Sequence, residues 1–579
     1  MADLHKSGSG RGMLLPLLPL VLTAAVYLPT SGGRAVTDYD EGHYSQVALQ
    51  MIARGDWVTP YDNGVRFLEK PPLLYWLTAA SFRLFGINEF ALRLPTALGM
   101  LAVVWIVMRM ARRAAGEKEA MFAGVCTAFA VGTYLFTRET LHDIWLVLFI
   151  VLAMHALLEW YRDPQRSWRH ALLFYVACAG AVMTKSLIGI VLPGGIAIVF
   201  FLLMRERPQW RSLHLISGAA LFLGLTVPWH WLAAVRNQHF LWSFFVNEQF
   251  LRYIGMYDRP VVWSVPLLTF LALNLVWIFP WTVFLPAAIW ESRKPADHSR
   301  RALIVLAWTW AAVILIFFSL SGRLEHYFFP AIPALALLVA MALSGTDNSR
   351  AVRWGFRSLA ILGVLTAAVA AGGGSWYLLS EPALQSVQST RTDVIAETDF
   401  SIMAEMPVSI QRSLIKPALI AIIAIAAGFG AALWMESRHR RMAAVLCIIG
   451  VMGIICMMTQ WSMILCEDLI SSRKFGLAVA REASPEDHIV IVGDYESANS
   501  MSFYQPLRIE VFDGVAYSLI PGMKFPDAPR IVLSSDEFES LWRGSGRVFV
   551  LIPKNRQTEL TPGGKKLLEV LDRVLVSNN

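Results

Sequence analysis

Thirteen apolar runs, most of them close to twenty residues long, follow one another along this chain and dictate its fold class. They lie near 13–30, 92–108, 119–136, 141–159, 170–184, 187–204, 213–234, 262–289, 302–320, 327–343, 354–379, 414–435 and 442–462. Wound as a helix, a run of that length spans the roughly 30 Å hydrocarbon core of a bilayer. No water is available there to backbone N–H and C=O groups, so each crossing must satisfy them internally, as a helix does. The 579 residues would otherwise suggest several soluble domains. Charged residues make up only 16% and hydrophobic ones 56%, with a mean hydropathy of +0.51, against roughly 25% charged in a soluble chain. The expected fold is mainly α, a polytopic membrane protein.

Loop charge gives this bundle a direction. Alternate loops carry Arg109, Arg112, Arg113 and Lys118; Arg162, Arg166 and Arg169; Arg205, Arg207 and Arg211; Arg293, Lys294, Arg300 and Arg301; Arg350, Arg353 and Arg357; and Arg438, Arg440 and Arg441. The short loops between them hold only Arg138, Lys185 and Arg323. Basic loops stay cytoplasmic. The amino terminus is therefore expected inside and, with an odd number of spans, the carboxy terminus outside. The first run could also be read as a cleaved signal peptide, but only a retained first span gives a consistent topology. The net charge of +7 is spent on these loops, which argues against nucleic acid as a partner. Cys126, Cys178, Cys447, Cys456 and Cys466 lie in or beside apolar runs without a CxxC pair, so no disulfide framework or thiolate metal site is expected.

The polar chemistry falls on the expected outer side, above all in the 31–91 loop. Tyr44, Val47, Ala48, Met51 and Ile52 repeat at helical spacing and predict an amphipathic helix on the membrane surface, closed by Gly55. Pro71 and Pro72 suit the first turn of a second helix, Leu73–Phe85. Asp40-Glu41 and Glu69-Lys70 precede these helix starts, where free N–H groups favour anions such as a lipid phosphate. An acid at a helix start is about as often a plain cap as a reactive group. Asp143 changes the balance for Asp40 and Glu41, because it is a second acid at the outer boundary of the fourth span, where an ionisable group is costly. Lys185 sits in a two-residue break between apolar runs and calls for a polar surrounding, unless it snorkels to the interface. With Lys70 and Arg252 it supplies three outer cations suited to a phosphate or diphosphate. His43, His142, His230, His239 and His326 show no HxxxH or HExxH spacing, so the pattern does not support a metal site.

Residues 467–579 change character and are expected to form a small extracytoplasmic α/β domain after a 1–466 membrane domain. Strands are predicted at 488–492, 508–512, 530–533 and 547–552, and helices at 535–542 and 565–571.

The set Asp40-Glu41-x-x-Tyr44, Arg54-Gly55-Asp56-Trp57, Glu69-Lys70-Pro71 and Thr184-Lys185 resembles the bacterial lipid A aminoarabinose transferases, GT-C glycosyltransferases related to protein O-mannosyltransferases. The likeness is strongest over 38–95, extends to about 330 through Arg323-Leu324-x-x-Tyr327-x-x-Pro330, and is weak in the tail. It implies an enzyme of the bacterial inner membrane that moves a sugar, 4-amino-4-deoxy-L-arabinose, from undecaprenyl phosphate to a lipid A phosphate on the periplasmic face. By this resemblance Asp40 and Asp143 are the acidic pair of the reaction centre, with Glu41 beside them. Lys70, Lys185, Arg252 and Tyr327 hold the donor phosphate, and Glu69 is a ligand of a divalent metal. Two departures are visible. Asn247-Glu248-Gln249 stands where the family has its partner metal-binding histidine, and His43 stands where it commonly has arginine.

A lipid A phosphate is already anionic and needs no strong base, whereas a protein hydroxyl would need Asp40 as one. Two other classes make different predictions. A transporter would carry ionisable residues in mid-span and repeated halves, and the mid-spans here are nearly free of charge. A structural membrane protein would not cluster acids and lysines on one side.

Overall fold

The computed structural model describes residues 17–163, 167–205, 210–256, 264–345, 349–379 and 406–579. Helices overlie all thirteen apolar runs. Among the described residues, eight are long and apolar enough to cross a bilayer: Glu89–Ala114, Asp143–Arg162, Arg211–Arg236, His298–Ser319, Glu325–Ser344, Arg350–Gly372, Val408–Ser437 and Arg441–Leu465. A ninth is made of Leu267–Trp277 and Trp281–Glu291, bent by 90°. The other four runs form shorter or broken helices. Leu18–Tyr27, Ser167–Lys185 and Ile188–Met204 are continuous, while the run at 119–136 divides into Glu117–Ala128 and Val131–Phe136. The break has a local cause, since Val131 N–H donates to the Phe279 carbonyl in the bend between Leu267–Trp277 and Trp281–Glu291 (2.9 Å) instead of continuing its own ladder. The segment between the apolar runs at 354–379 and 414–435 lies largely outside the described residues, which resume at 406.

The basic loops come together at one end. Arg113 pairs with Glu159, and Arg162 donates to the Arg113 carbonyl and to Ser299 Oγ (3.1 Å). Lys118 reaches the Ser344 carbonyl (3.0 Å) and Arg441 the Gly345 carbonyl (2.6 Å).

The polar end is built differently. After the first span the chain forms helix Asp40–Arg54, a short hairpin of strands β1 (Tyr61–Asp62) and β2 (Val65–Arg66), and helix Leu73–Phe85. Gly55 closes the first helix with φ +67°, the left-handed conformation that glycine adopts without a Cβ clash. At the chain's far end lies a six-stranded sheet of β3 (His488–Val492), β4 (Ile509–Phe512), β5 (Val532–Leu533), β6 (Val548–Pro553), β7 (Lys565–Val570) and β8 (Arg573–Ser577). The order is β5-β4-β3-β6-β8-β7, with β5 to β6 parallel and β8 and β7 antiparallel.

Alternation along the strands decides what covers each face. Val490, Val492, Val548, Val550 and Ile552 pack against Phe538 and Trp542 of helix Ser535–Arg543. Ile489, Ile491, Ile509, Val511, Phe549 and Leu551 face the other way. They form one buried core with Tyr44, Val47, Met51, Val65, Phe67, Leu74 and Tyr75 of the opening loop. Each fully buried side chain of that size contributes roughly 1.5–3 kcal/mol. Loop and sheet therefore stabilise one another.

Two expectations are corrected by this core. The amphipathic helix 40–54 turns its apolar face to the sheet and to helix Leu73–Phe85, not to the membrane surface. Residues 565–571 are strand β7 and not a helix. They form a hairpin with β8 in which Val570 pairs with Arg573 across Leu571-Asp572, and Leu571 takes a positive φ of 56°. The β-branched run of Arg573–Ser577 offers an edge that a lone helix would leave unpaired.

Candidate active site

Helix Asp143–Arg162 begins at the polar end with the Asp143 carboxylate, and Lys185 closes helix Ser167–Lys185 beside it. Lys185 Nζ lies 2.6 Å from Asp143 Oδ1. Its ammonium also sits 5.2 Å from the Tyr327 ring centroid, within cation–π range. Tyr327 and His326 come from the tight turn Glu325–Ala331, and His326 Nε2 is 3.8 Å from Asp143 Oδ2. The group is largely but not fully enclosed, with side-chain exposures of 7% for Asp143, 16% for Lys185 and 24% for His326. An ion pair at such a boundary is attractive and still open to an anion from outside.

The remaining predicted residues converge here, with one exception. Asp40 is exposed as the first residue of its helix, and its charge reaches His326, Tyr44 and Tyr75. Arg252, which caps the ten-residue π-helix Trp242–Leu251, also lies within electrostatic reach of His326 and pairs with Glu248 at 3.4 Å. Lys70 and Glu69 precede helix Leu73–Phe85 and lie within electrostatic reach of His142, whose ring packs edge-on against Tyr44 and Tyr75. Asp40, Glu69, Lys70, Asp143, Lys185, Arg252 and Tyr327 thus belong to one neighbourhood drawn from six separate segments.

Glu41 is the exception, and the expectation that it joins the reaction centre is corrected. Its side chain is 0% exposed. Arg93 binds it through Nε (2.8 Å) and Nη2 (2.6 Å), Thr37 N–H donates at 3.0 Å and Thr140 N–H at 3.2 Å. Burial alone would raise its pKa, but Arg93 and Arg34 outweigh that and hold the carboxyl down at about 2. All of its acceptor capacity is used by the fold.

His43, two residues along the same helix, is likewise structural. Its Nδ1 lies 2.5 Å from Asp62 Oδ2, and Tyr495 of the sheet layer donates to Asp62 Oδ1 at 2.9 Å. Burial would lower the imidazole pKa; the Asp62 charge and hydrogen bond overcome it and lift the value to about 9.

Local sequence patterns did not single out His326 or His142. His326 had one usable signal, as an ionisable residue at the start of a span. Both His142 ring nitrogens are buried without a hydrogen-bond partner, as is the Tyr75 hydroxyl. Buried polar atoms of that kind mark room for a water or a ligand group.

A divalent metal does not fit this set of residues. Among the described residues no three His, Cys, Asp or Glu side chains gather as ligands. At the stretch facing Glu69 in the family pattern, Glu248 is buried and committed to Arg252.

A helical membrane bundle with a charged cluster under a carboxy-terminal α/β layer is the GT-C architecture. The sequence profile of dolichyl-phosphate-mannose-protein mannosyltransferases matches residues 69–231, which include Glu69, Lys70, Asp143 and Lys185. The chain is 30% identical over 376 residues to the undecaprenyl phosphate-alpha-4-amino-4-deoxy-L-arabinose arabinosyl transferase of Pectobacterium carotovorum, covering 61% of this chain and 64% of that protein. Matches to the curated relatives span about three fifths of their length. Two crystal structures of ArnT from Cupriavidus metallidurans superimpose along nearly the whole chain. The apo form gives a TM-score of 0.80 at 25% identity, covering 98% of both chains. The form bound to undecaprenyl phosphate gives 0.79 at 24% identity, covering 99% of both. In sequence and in fold the chain is thus similar to the aminoarabinose transferases, and its architecture is of the GT-C type.

Proposed function

We propose that this protein transfers 4-amino-4-deoxy-L-arabinose from undecaprenyl phosphate to a phosphate of lipid A at the periplasmic face of the bacterial inner membrane. The amino terminus is then cytoplasmic and the 467–579 layer periplasmic. The observation that carries this reading is the cluster of Asp143, Lys185, His326 and Tyr327, with Asp40 and Arg252 in electrostatic reach, at the end of the bundle away from the basic loops. The similarity to undecaprenyl phosphate-aminoarabinose arabinosyl transferases, and the undecaprenyl phosphate bound in one ArnT crystal, support this choice of donor and sugar.

The chemistry follows from charge. The bond between the anomeric carbon and the donor phosphate oxygen breaks, leaving negative charge on undecaprenyl phosphate and positive charge on the sugar ring. Lys185, Lys70 and Arg252 stabilise the departing phosphate, and fixed donors in a water-poor site do this better than water does. Asp143 keeps Lys185 in place and lowers the cost of holding an ammonium at the membrane boundary. Asp40, exposed at its helix start, faces the developing charge on the sugar. The acceptor phosphate is anionic already and attacks without prior deprotonation, and the same three cations screen it from the donor phosphate. No step is assigned to a metal.

Purified protein in proteoliposomes with the aminoarabinose donor and lipid A should yield lipid A carrying an added aminopentose by mass spectrometry. Asp40→Asn should reduce that yield at least a hundredfold. Full activity of the variant sinks the assignment. Transfer to a peptide hydroxyl with unchanged lipid A would move the acceptor to protein, the activity named in the profile matched at 69–231.

A further inference from the structure

We infer that Asn499, in the carboxy-terminal layer, is a positioning residue that sets the backbone from which Asp40 projects. The inference rests on the reading of Asp40 given above.

Tyr39, directly before Asp40, has φ 67° and ψ −123°. That is the first central conformation of a type II′ turn, a region where glycine is the usual occupant because a Cβ clashes there. A tyrosine holds it only if its surroundings impose it. Asn499 does so with both ends of its amide. Its Oδ1 accepts from Tyr39 N–H at 2.9 Å, a donor shared with the Glu496 carbonyl at 3.2 Å, and its Nδ2 donates to the Tyr39 carbonyl at 2.8 Å. The side chain is fully buried, so water does not compete.

The neighbouring residues are held by the same layer. Asp38 N–H donates to the Ile470 carbonyl at 2.8 Å, and its carboxylate accepts from Ser500 N–H and Ser472 Oγ, both at 3.0 Å. Val36 N–H donates to the Tyr504 hydroxyl at 2.8 Å. The helix itself rests on Asn499, because a Cβ on Gly42 would stand 2.3 Å from Asn499 Oδ1. The Tyr39 carbonyl also accepts from His43 N–H at 3.0 Å, which carries the clasp into the first turn. Asn suits this task for a chemical reason. Its planar amide offers one donor and one acceptor side by side, matched to one residue's C=O and N–H, and no carboxylate or hydroxyl can do both with fixed direction.

The full-length protein in proteoliposomes tests this. Asn499→Ala should lower kcat about tenfold to a hundredfold, the usual consequence of moving a reacting group by an ångström or less, with the donor KM changed less than twofold. Adding Tyr39→Gly should restore most of the loss, since glycine adopts the turn unaided. Gly42→Ala should lower kcat in the same way by lifting the helix off Asn499. Unchanged kcat in Asn499→Ala overturns the inference. So does a loss that Tyr39→Gly leaves uncorrected while donor affinity and thermal midpoint fall together, which is the signature of a structural residue only. Asp40→Asn, run in parallel, separates the two readings. If it is inactive while Asn499→Ala is unimpaired, the clasp alone fails; if it turns over normally, Asp40 and the clasp fail together.

Discussion

Glu41 and Asp143 are both carboxylates near a helix start at the same end of the molecule, and both are buried and ion-paired. They differ in how much of each is left over. Glu41 receives two bonds from Arg93 and two backbone N–H groups, and has a second arginine, Arg34, at 3.9 Å. Asp143 has Lys185 at 2.6 Å and a more distant histidine at 3.8 Å, and its lysine keeps one side toward Tyr327. A saturated pair can only hold the fold. An unsaturated one, with charge of both signs partly exposed, can exchange partners with a substrate phosphate. Breaking each pair should therefore show up in different measurements.

The largest effect is expected at Arg93→Ala. It leaves Glu41 fully buried with only the more distant Arg34, at 3.9 Å, as a cation, and removing one partner of a buried pair costs about 3–5 kcal/mol. Purified in detergent, this variant should lose many degrees of thermal midpoint or fail to accumulate. A midpoint within two degrees of the parent would show that Glu41 is solvated after all. Lys185→Met is next and should act on the other axis. Loss of one charge from a phosphate-stabilising site typically costs about 2.7–4 kcal/mol of barrier, or 10²–10³ in rate. Its thermal midpoint should move far less than that of Arg93→Ala, since the methionine keeps the stem packed and His326 remains beside Asp143. A variant that loses stability and keeps its rate would reverse the comparison.

Acid should separate the pairs again. In the folded protein Glu41 holds its charge down to about pH 2, against 4.5 for a free glutamate. The unfolded chain binds this proton more readily, so the stabilisation is complete above pH 4.5 and is lost as pH falls toward 2. The shift corresponds to about 3 kcal/mol. Thermal midpoints taken from pH 5 down to 3 should fall more steeply in the parent than in Glu41→Gln. Parallel curves would remove Glu41 from the acid response.

What the sequence made visible follows from which forces are local. Hydropathy and loop cations placed the thirteen runs and brought their basic ends together, because span length and charge are properties of contiguous residues. Helical spacing placed 40–54 with its Gly55 cap for the same reason. The partners of Glu41 were hidden, since Arg93 lies fifty-two residues away in sequence and meets it only after folding. The destination of the amphipathic face was hidden too. Tyr44, Val47 and Met51 carry the same periodicity whether they meet lipid or the sheet residues Ile489 and Phe549. Residues 565–571 suit a helix as well as strand β7 because Leu567, Leu568 and Val570 fit either period, and the β8 partner that decides between them follows across the turn. Lys70, Asp143, Lys185 and Arg252 were legible as a group because a charge at a membrane boundary is costly wherever its partners are.

The smallest expected effect tests how Lys185 is held on its open side. Tyr327 presents its ring to the ammonium at 5.2 Å, and its hydroxyl is a separate feature. If the ring's π-face is what matters, Tyr327→Phe should cost less than threefold in kcat/KM, because the benzene face remains. Tyr327→Leu should cost about 1–2 kcal/mol, or roughly fivefold to thirtyfold, the range for a partly desolvated cation–π contact. If Phe and Leu are equally impaired, the hydroxyl carries the effect, and Tyr327 then binds substrate directly instead of steadying the lysine. Combining Tyr327→Leu with Lys185→Met decides the matter. A ring that works only through Lys185 adds nothing once the lysine is gone, whereas an independent substrate contact adds its full cost again.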